Sequence, residues 1–151
     1  MNRTLLSTAI ILSASAAAFG CGTSRHTVEP YRSEPEAAAE LEARAVESCE
    51  AMDPRDGVPA QAFITDGCSA FPDGDWVDCC VEHDIPYWCG GSSEQRVAAD
   101  EAFRQCVAAK KSGWFGQLME WGVRVGGHPW VPAGWRWGYG RAYGTCYQSA
   151  R

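Results

Sequence analysis

The stretch that decides the fold is CCVEHDIPY at residues 79–87, followed after a short interval by ADEAF at residues 99–103. Few helix breakers occur between Trp76 and Trp88, and apolar side chains recur there at helical spacing, which predicts a helix. Pro86 favours a kink or an early end, and the CGG run at residues 89–91 stops the helix. A first helix is therefore expected to carry a histidine and an aspartate side by side.

A second helix is predicted directly after the glycine turn. Ser92 and Gln95 form a possible capping box, and the helix that they open runs to about Lys111. If it packs antiparallel to the first helix, Asp100 can reach His83 and fix its tautomer. A carboxylate and a polarised imidazole together are the groups that general-base hydrolysis assisted by a hard metal ion requires.

His83 and Asp84 cannot both serve one atom. Neighbouring residues on a helix point about 100° apart, so these two side chains line two sides of one cleft. A serine hydrolase is disfavoured, because the GCSAF run at residues 67–71 lacks the second glycine of a nucleophile elbow. His26 and His128 are most simply loop residues.

Length and composition limit the fold to one exported or metal-stabilised domain. The chain has 151 residues, 46% hydrophobic residues, seven tryptophans and eight cysteines, which excludes a disordered acidic tail. No apolar run reaches the roughly 20 residues that span a bilayer. Eight cysteines in so short a chain indicate either a metal site or disulfide bonds.

The amino terminus favours disulfide bonds. Residues 1–20 have a basic start, an apolar stretch and a run of small residues, the layout of a secretory signal. Cleavage is expected after residues 16–18 or before Cys21, which would then be a lipidation candidate. The protein is expected to be exported, as a periplasmic, membrane-anchored or secreted protein, where thiols oxidise. Export also disfavours a zinc site built on the vicinal cysteines.

The remaining chain divides into two parts. Residues 21–59 are acidic and rich in Ala and Glu, and are predicted to form a tether and a solvated peripheral helix. Residues 60–151 form the predicted domain, with turns up to Trp76 and a third helix at residues 112–126. Acids outnumber bases eighteen to six between residues 22 and 109, whereas six bases face only Glu120 beyond residue 109.

The third helix carries an apolar stripe at i, i+4, i+7 and i+11. Its main predicted use is to cover the two preceding helices, while the tryptophan-rich carboxyl end is an alternative membrane interface. Nucleic-acid binding is disfavoured because bases are few. The stripe consists of Trp114, Leu118, Trp121 and Val125, and the interface candidates are Trp130, Trp135, Trp137, Arg136 and Arg141.

The two-part motif resembles the signature of secreted phospholipases A2. Cys79-Cys80-x-x-His83-Asp84-x-x-Tyr87 followed by Asp100-x-x-Phe103 carries the resemblance, and Gly67-Cys68 with Cys106 is most similar to the group XII branch. The match covers residues 66–106, about a quarter of the chain. It implies a mostly α, disulfide-stapled fold of two antiparallel helices with a third helix and long loops.

The resemblance also implies an activity, a cofactor and residue roles. The activity is calcium-dependent hydrolysis of a phospholipid ester, with a phospholipid or membrane surface as partner; no protein partner is predicted. His83 is implied as the general base, Asp100 as its orienting group and Tyr87 as the support of Asp100. Asp84 would bind Ca²⁺ together with backbone carbonyls of the loop that includes Gly67 and Ser69.

The resemblance implies three disulfide bonds and leaves two cysteines over. The implied pairs are Cys68–Cys80, Cys79–Cys146 and Cys89–Cys106, with Cys21 and Cys49 remaining. The sequence departs from the family at Ser69 and Ala70, which stand where glycines are usual. It also departs at Pro86 and Ala99, which replace two cysteines that pair in the family. A catalytically inactive envelope binding or structural lipoprotein is therefore the alternative function.

Overall fold

The computed structural model of the chain describes residues 26–52, 57–128 and 139. Four helices make up the described regular structure: α1 at Pro35–Ala51, α2 at Val77–Cys89, α3 at Ser93–Lys110 and α4 at Gly113–Gly126. The mostly α prediction is therefore confirmed. None of these helices is long and apolar enough to cross a membrane. The predicted signal segment, Cys21, Cys146 and the tryptophan-rich carboxyl end lie outside the described residues.

The turn between α2 and α3 forms as its sequence predicts. Gly90 has a φ of 78° at the end of α2, a backbone conformation that favours glycine. The side chain of Ser92 accepts from the backbone N–H of Gln95, and the Gln95 side chain accepts from the backbone N–H of Ser92. The capping box is thus confirmed. The early end at Pro86 is not observed, because α2 continues to Cys89.

Helix α1 belongs to the core, and the prediction of a solvated helix is wrong for one of its faces. Leu41, Ala45 and Cys49 are buried and recur every four residues along that face. They join Val81 and Trp88 of α2 in one apolar cluster. Alanine permits this packing because its small side chain lets two helices approach closely, so an Ala-rich stripe can be a buried one.

The disulfide bonds differ from the expected pairing in two of three cases. Cys68–Cys80 is confirmed, with 5.1 Å between its Cα atoms. Cys79 pairs with Cys106 instead of Cys146, and Cys89 pairs with Cys49 instead of Cys106.

The antiparallel arrangement explains both corrections. It places the start of α2 beside the end of α3, so Cys79 lies 5.8 Å from Cys106 between Cα atoms. Cys89 lies at the opposite end of α2, where the end of α1 brings Cys49 within 5.5 Å. Cys49 is therefore a bonded core residue and not a cysteine left over.

The apolar stripe of α4 faces outward, so its predicted use as a cover for the two preceding helices is wrong. Trp114 is 71% exposed and Trp121 is 66% exposed. The face that packs on α3 instead contains Gly116, Met119 and Glu120. A Cβ atom on Gly116 would lie 2.6 Å from the Arg104 carbonyl oxygen. Helices α3 and α4 can approach this closely only because residue 116 is glycine. The face of α4 that carries Gly116 is therefore the buried one.

Candidate active site

A cavity of about 340 Å³ lies where α2, α3 and α4 meet the loop that precedes α2. His83 and Asp84 both line it, as do the loop residues 67–71. Phe103 of α3 and Leu118 and Trp121 of α4 supply an apolar wall. The predicted catalytic residues and the predicted calcium loop thus share one cavity, and the exposed stripe of α4 reaches its mouth.

His83 and Asp100 form a buried pair. The Nε2 atom of His83 lies 2.9 Å from Oδ1 of Asp100, and Asp100 is fully buried. Tyr87 donates its hydroxyl proton to the same oxygen at 2.7 Å. Because Nε2 is held by the carboxylate, Nδ1 is the ring nitrogen left to accept a proton in the cavity. The geometry places these three side chains together as the sequence predicts.

The surroundings of the pair shift two pKa values. Burial lowers the pKa of His83, and the Asp100 carboxylate opposes that shift. Burial, followed by the hydrogen bond to Asp100, raises the pKa of Tyr87 and keeps its hydroxyl a proton donor. The rings of Tyr87 and Phe103 lie with their centroids 4.3 and 4.7 Å from that of His83. His83 is therefore a neutral, sterically fixed imidazole near neutral pH.

Asp84 also lines the cavity and has a different environment. Its Oδ2 atom accepts a hydrogen bond from the Thr65 hydroxyl at 2.6 Å. Burial raises the pKa of Asp84 well above its ordinary value, and the nearby charges of Asp66 and Asp73 raise it further. Asp84 still keeps part of its surface in contact with the cavity although it lies deep among other atoms. Its negative charge is thus incompletely balanced by protein groups.

The loop beside Asp84 is held in a defined shape. Gly67 has a φ of 78° and Ala70 a φ of 60°, so both residues adopt the left-handed conformation. The backbone N–H of Cys68 donates to Asp73 at 2.9 Å, and the Ser69 hydroxyl donates to Asp66 at 2.6 Å. Ala70 therefore adopts a backbone conformation that favours glycine.

These groups have the chemistry that a hard cation requires. A carboxylate with an unbalanced charge, a hydroxyl and a loop of backbone carbonyls are all oxygen donors, which calcium prefers. No group of three or more His, Cys, Asp or Glu side chains within residues 26–52 and 57–128 is arranged to hold a metal ion. A cation bound by Asp84 would therefore also need carbonyl oxygens of the Gly67 to Ser69 loop and water.

Several residues at this site have no signal in the sequence. Thr65 was assigned to a turn, yet it holds Asp84 and also accepts from the Gly67 N–H at 3.1 Å. His26 is buried, and its Nδ1 accepts from the Thr65 N–H at 3.2 Å. Arg124 reaches Asp100 from α4. Only Arg96 had a local signal, because it precedes Asp100 by one helical turn.

Comparison with known proteins adds no assignment. No family model, no curated protein and no solved structure matches this chain. The geometry of the site and the motif resemblance are therefore the basis for proposing a function.

Proposed function

We propose that the protein is a calcium-dependent phospholipid esterase of the phospholipase A2 type. The observation that carries the proposal is the buried His83–Asp100 pair, which opens on the same cavity as Asp84. A fixed imidazole with a free Nδ1 is the general base of an ester hydrolysis. The motif resemblance and this geometry favour the same reaction.

In the proposed reaction, Nδ1 of His83 accepts a proton from water while the water oxygen bonds to the ester carbonyl carbon. The Asp100 carboxylate stabilises the imidazolium that forms, because it contacts the opposite ring nitrogen. The imidazolium then returns the proton to the alkoxide oxygen as the ester bond to that oxygen breaks. The products are a fatty acid and a lysophospholipid.

Calcium is proposed to bind at Asp84 and at carbonyl oxygens of the loop with Gly67 and Ser69. When bound, it would supply positive charge that polarises the ester carbonyl. Asp84 is suited to this role because its own charge is poorly balanced without a cation. Thr65 orients the carboxylate, since its hydroxyl donates to only one of the two oxygens.

The proposed substrate is phospholipid that is presented at a lipid surface. Leu118 and Trp121 line the cavity and also belong to the exposed stripe of α4, so one apolar surface continues from the cavity to the outside. Trp114 and Val125 extend this stripe in both directions along the helix. Aromatic and aliphatic side chains in this arrangement favour the lipid interface. The predicted amino-terminal signal and the disulfide bonds support an exported protein.

The test is release of a labelled sn-2 chain from phospholipid vesicles, with calcium or with a chelator. The variant His83→Gln removes the general base, and His128→Gln makes the same change at an exposed histidine as a matched control. Calcium-dependent release by the wild type and by the control, with none from His83→Gln, is expected. Absence of release in every condition, together with undetectable calcium binding, would overturn the proposal.

The alternative is an inactive lipid-binding protein of the cell envelope. It is favoured by one specific observation: the Thr65 hydroxyl already occupies one oxygen of Asp84. That protein would bind vesicles through the α4 stripe without releasing fatty acid. Vesicle binding that is lost in Trp121→Ala, with no hydrolysis at any calcium concentration, would favour it.

A further inference from the structure

The Asp100 carboxylate has its two oxygens assigned to different partners. Oδ1 contacts Nε2 of His83 and the hydroxyl of Tyr87. Oδ2 lies 3.0 Å from Nε of Arg124, which comes from α4. The two atoms are not aligned for a hydrogen bond, so the contact is an ion pair. A fully buried carboxylate is thus balanced by one cation on the side that faces away from the histidine.

Arg124 is itself held in place by a set of polar contacts. Its Nη2 lies 2.9 Å from Oε1 of Glu120, one helical turn earlier on α4. Gln117 donates to the other oxygen of Glu120 at 2.9 Å, and Arg104 of α3 lies 3.6 Å from it. Glu120 is only 8% exposed, so its charge is buried between two arginines. Arg124 consequently has little freedom to leave Asp100.

A second arginine connects the same helix to the tyrosine of the site. Nη2 of Arg96 donates to the backbone carbonyl oxygen of Arg124 at 2.5 Å. Nε of Arg96 donates to the Tyr87 hydroxyl at 3.2 Å. Helix α4 is therefore linked to Asp100 through Arg124 and to Tyr87 through Arg96, although it carries none of the motif residues.

We propose that Arg124 is a positioning residue that fixes the plane of the Asp100 carboxylate and thereby directs Oδ1 at His83. The terminal torsion of an aspartate is broad and nearly twofold, so contacts at one oxygen alone leave the carboxylate free to rotate. A cation at Oδ2 removes that freedom and balances the buried charge. The effect of this positioning on catalysis rests on the proposed function. Its effect on the His83 imidazole does not depend on that function.

The burial of Glu120 argues that Arg124 does more than pack α4 against α3. An apolar side chain at position 124 would fill space beside α3 without needing a buried carboxylate to hold it. Instead, a second charged side chain, Glu120, is buried where it orients the arginine. This cost is explained if the direction of the guanidinium matters to Asp100.

The test is the NMR signature of His83 in protein labelled with ¹⁵N-histidine, recorded near pH 8 where the imidazole is neutral. In the wild type, we expect Nε2 to be protonated and its proton to exchange slowly with water. The variant R124Q should accelerate that exchange by at least about tenfold and shift both ring nitrogens toward averaged tautomers. R124K keeps the charge without the planar group and should give an intermediate exchange rate.

Arg44→Gln is the matched control, because it removes an arginine that pairs with Glu82, the neighbour of His83, without contacting Asp100. It should leave the His83 signals unchanged. If R124Q does not fold, R124K decides: an exchange rate equal to that of the wild type overturns the proposal. Wild-type His83 signals in folded R124Q overturn it as well.

Kinetics separate this proposal from the proposed function. If the wild type hydrolyses phospholipid, R124Q should lower kcat on the order of 10- to 100-fold and leave KM within about twofold, because Arg124 does not touch the substrate. If the wild type hydrolyses nothing, the proposed function fails, and the NMR comparison still decides the role of Arg124.

Discussion

Asp100 and Asp84 are the two aspartates of the candidate site, and their surroundings differ: Asp100 is fully buried behind His83, whereas Asp84 lines the cavity. Asp100 receives a hydroxyl and an imidazole from α2 and an arginine from α4. Asp84 receives one hydroxyl from a loop, and its pKa is raised first by burial and then by two nearby carboxylates. The charge of one aspartate is balanced within the protein, and that of the other is not.

This difference explains why the two aspartates suit different roles. A carboxylate with balanced charge can orient an imidazole without any ligand, so the His83 side is complete in the protein alone. A carboxylate with unbalanced charge gains most from a cation, so the Asp84 side is where we propose that a ligand binds. The same substitution, Asp to Asn, should therefore have opposite effects on stability at the two positions.

Asp100→Asn should have the largest effect. It leaves Arg124 without its partner and removes the group that stabilises the imidazolium, so hydrolysis should fall by about 10²- to 10⁴-fold. Breaking a buried ion pair from one side should also lower the free energy of unfolding by about 3 kcal/mol. Rate assays and denaturant unfolding measure the two effects.

Glu101→Gln is the control for that experiment, since it changes an exposed neighbour that pairs with Arg104. It should alter neither the rate nor the unfolding midpoint. Equal rates for Asp100→Asn and the wild type would contradict the assigned role of Asp100.

Removal of the Cys68–Cys80 disulfide should weaken specifically the cation binding proposed at Asp84. This bond joins the loop to α2 across 12 residues, and loop-closure entropy predicts a loss of roughly 3 kcal/mol of stability. The calcium response should fall with it, while the slow His83 proton exchange remains. Calcium-dependent melting and NMR of Cys68→Ala/Cys80→Ala measure both properties.

The Cys49–Cys89 bond provides the matched comparison. It closes a longer loop of 40 residues at the far end of α2, so its removal should cost roughly 4 kcal/mol. The calcium response should nevertheless survive in Cys49→Ala/Cys89→Ala. If both double variants lose that response equally, the effect is one of global stability and not of the loop.

The sequence predicted the parts of the site that depend on local spacing. His83, Tyr87 and Asp100 come together because helical periodicity and the capped turn after α2 fix their relative positions. The Cys79–Cys106 pair follows from the antiparallel packing of α2 and α3, and the pairing implied by the resemblance conflicts with that packing. The Cys49–Cys89 pair depends on where α1 packs against α2, which local spacing does not show.

The orientation of α4 was predicted incorrectly, and this error was larger than that in the disulfide pairing. Its strongest apolar stripe suggested a buried face, whereas Gly116 and the pairing of Glu120 with arginines bury the other face. Periodicity identifies which residues share a face and does not say whether that face meets protein or another apolar phase. Arg124 was missed for the same reason, since its role depends on a tertiary contact.

The pH dependence of hydrolysis should show a smaller effect. The pKa of His83 lies below its ordinary 6.5 because burial disfavours the charged ring. The base acts in its neutral form, so kcat/KM should rise with pH through a midpoint below 6.5 and stay level above it. A pH-rate profile measures this, and a midpoint above 6.5 would contradict the burial argument.

The sign of the Asp84 contribution to stability follows from its raised pKa. An acid whose pKa is higher in the folded than in the unfolded state destabilises the fold once pH exceeds the unfolded value of 3.8. The penalty grows until pH reaches the folded pKa and is constant above it. Replacing Asp84 by asparagine removes the penalty at every pH above that range, provided that no cation is bound.

Thermal unfolding of the wild type and Asp84→Asn at pH 8, in chelator and then with increasing calcium, tests this contrast most directly. In chelator, Asp84→Asn should melt at a higher temperature than the wild type. Calcium should raise the melting temperature of the wild type alone and reverse the order. A lower melting temperature for Asp84→Asn in chelator, or an equal calcium response in both proteins, would contradict a cation site at Asp84.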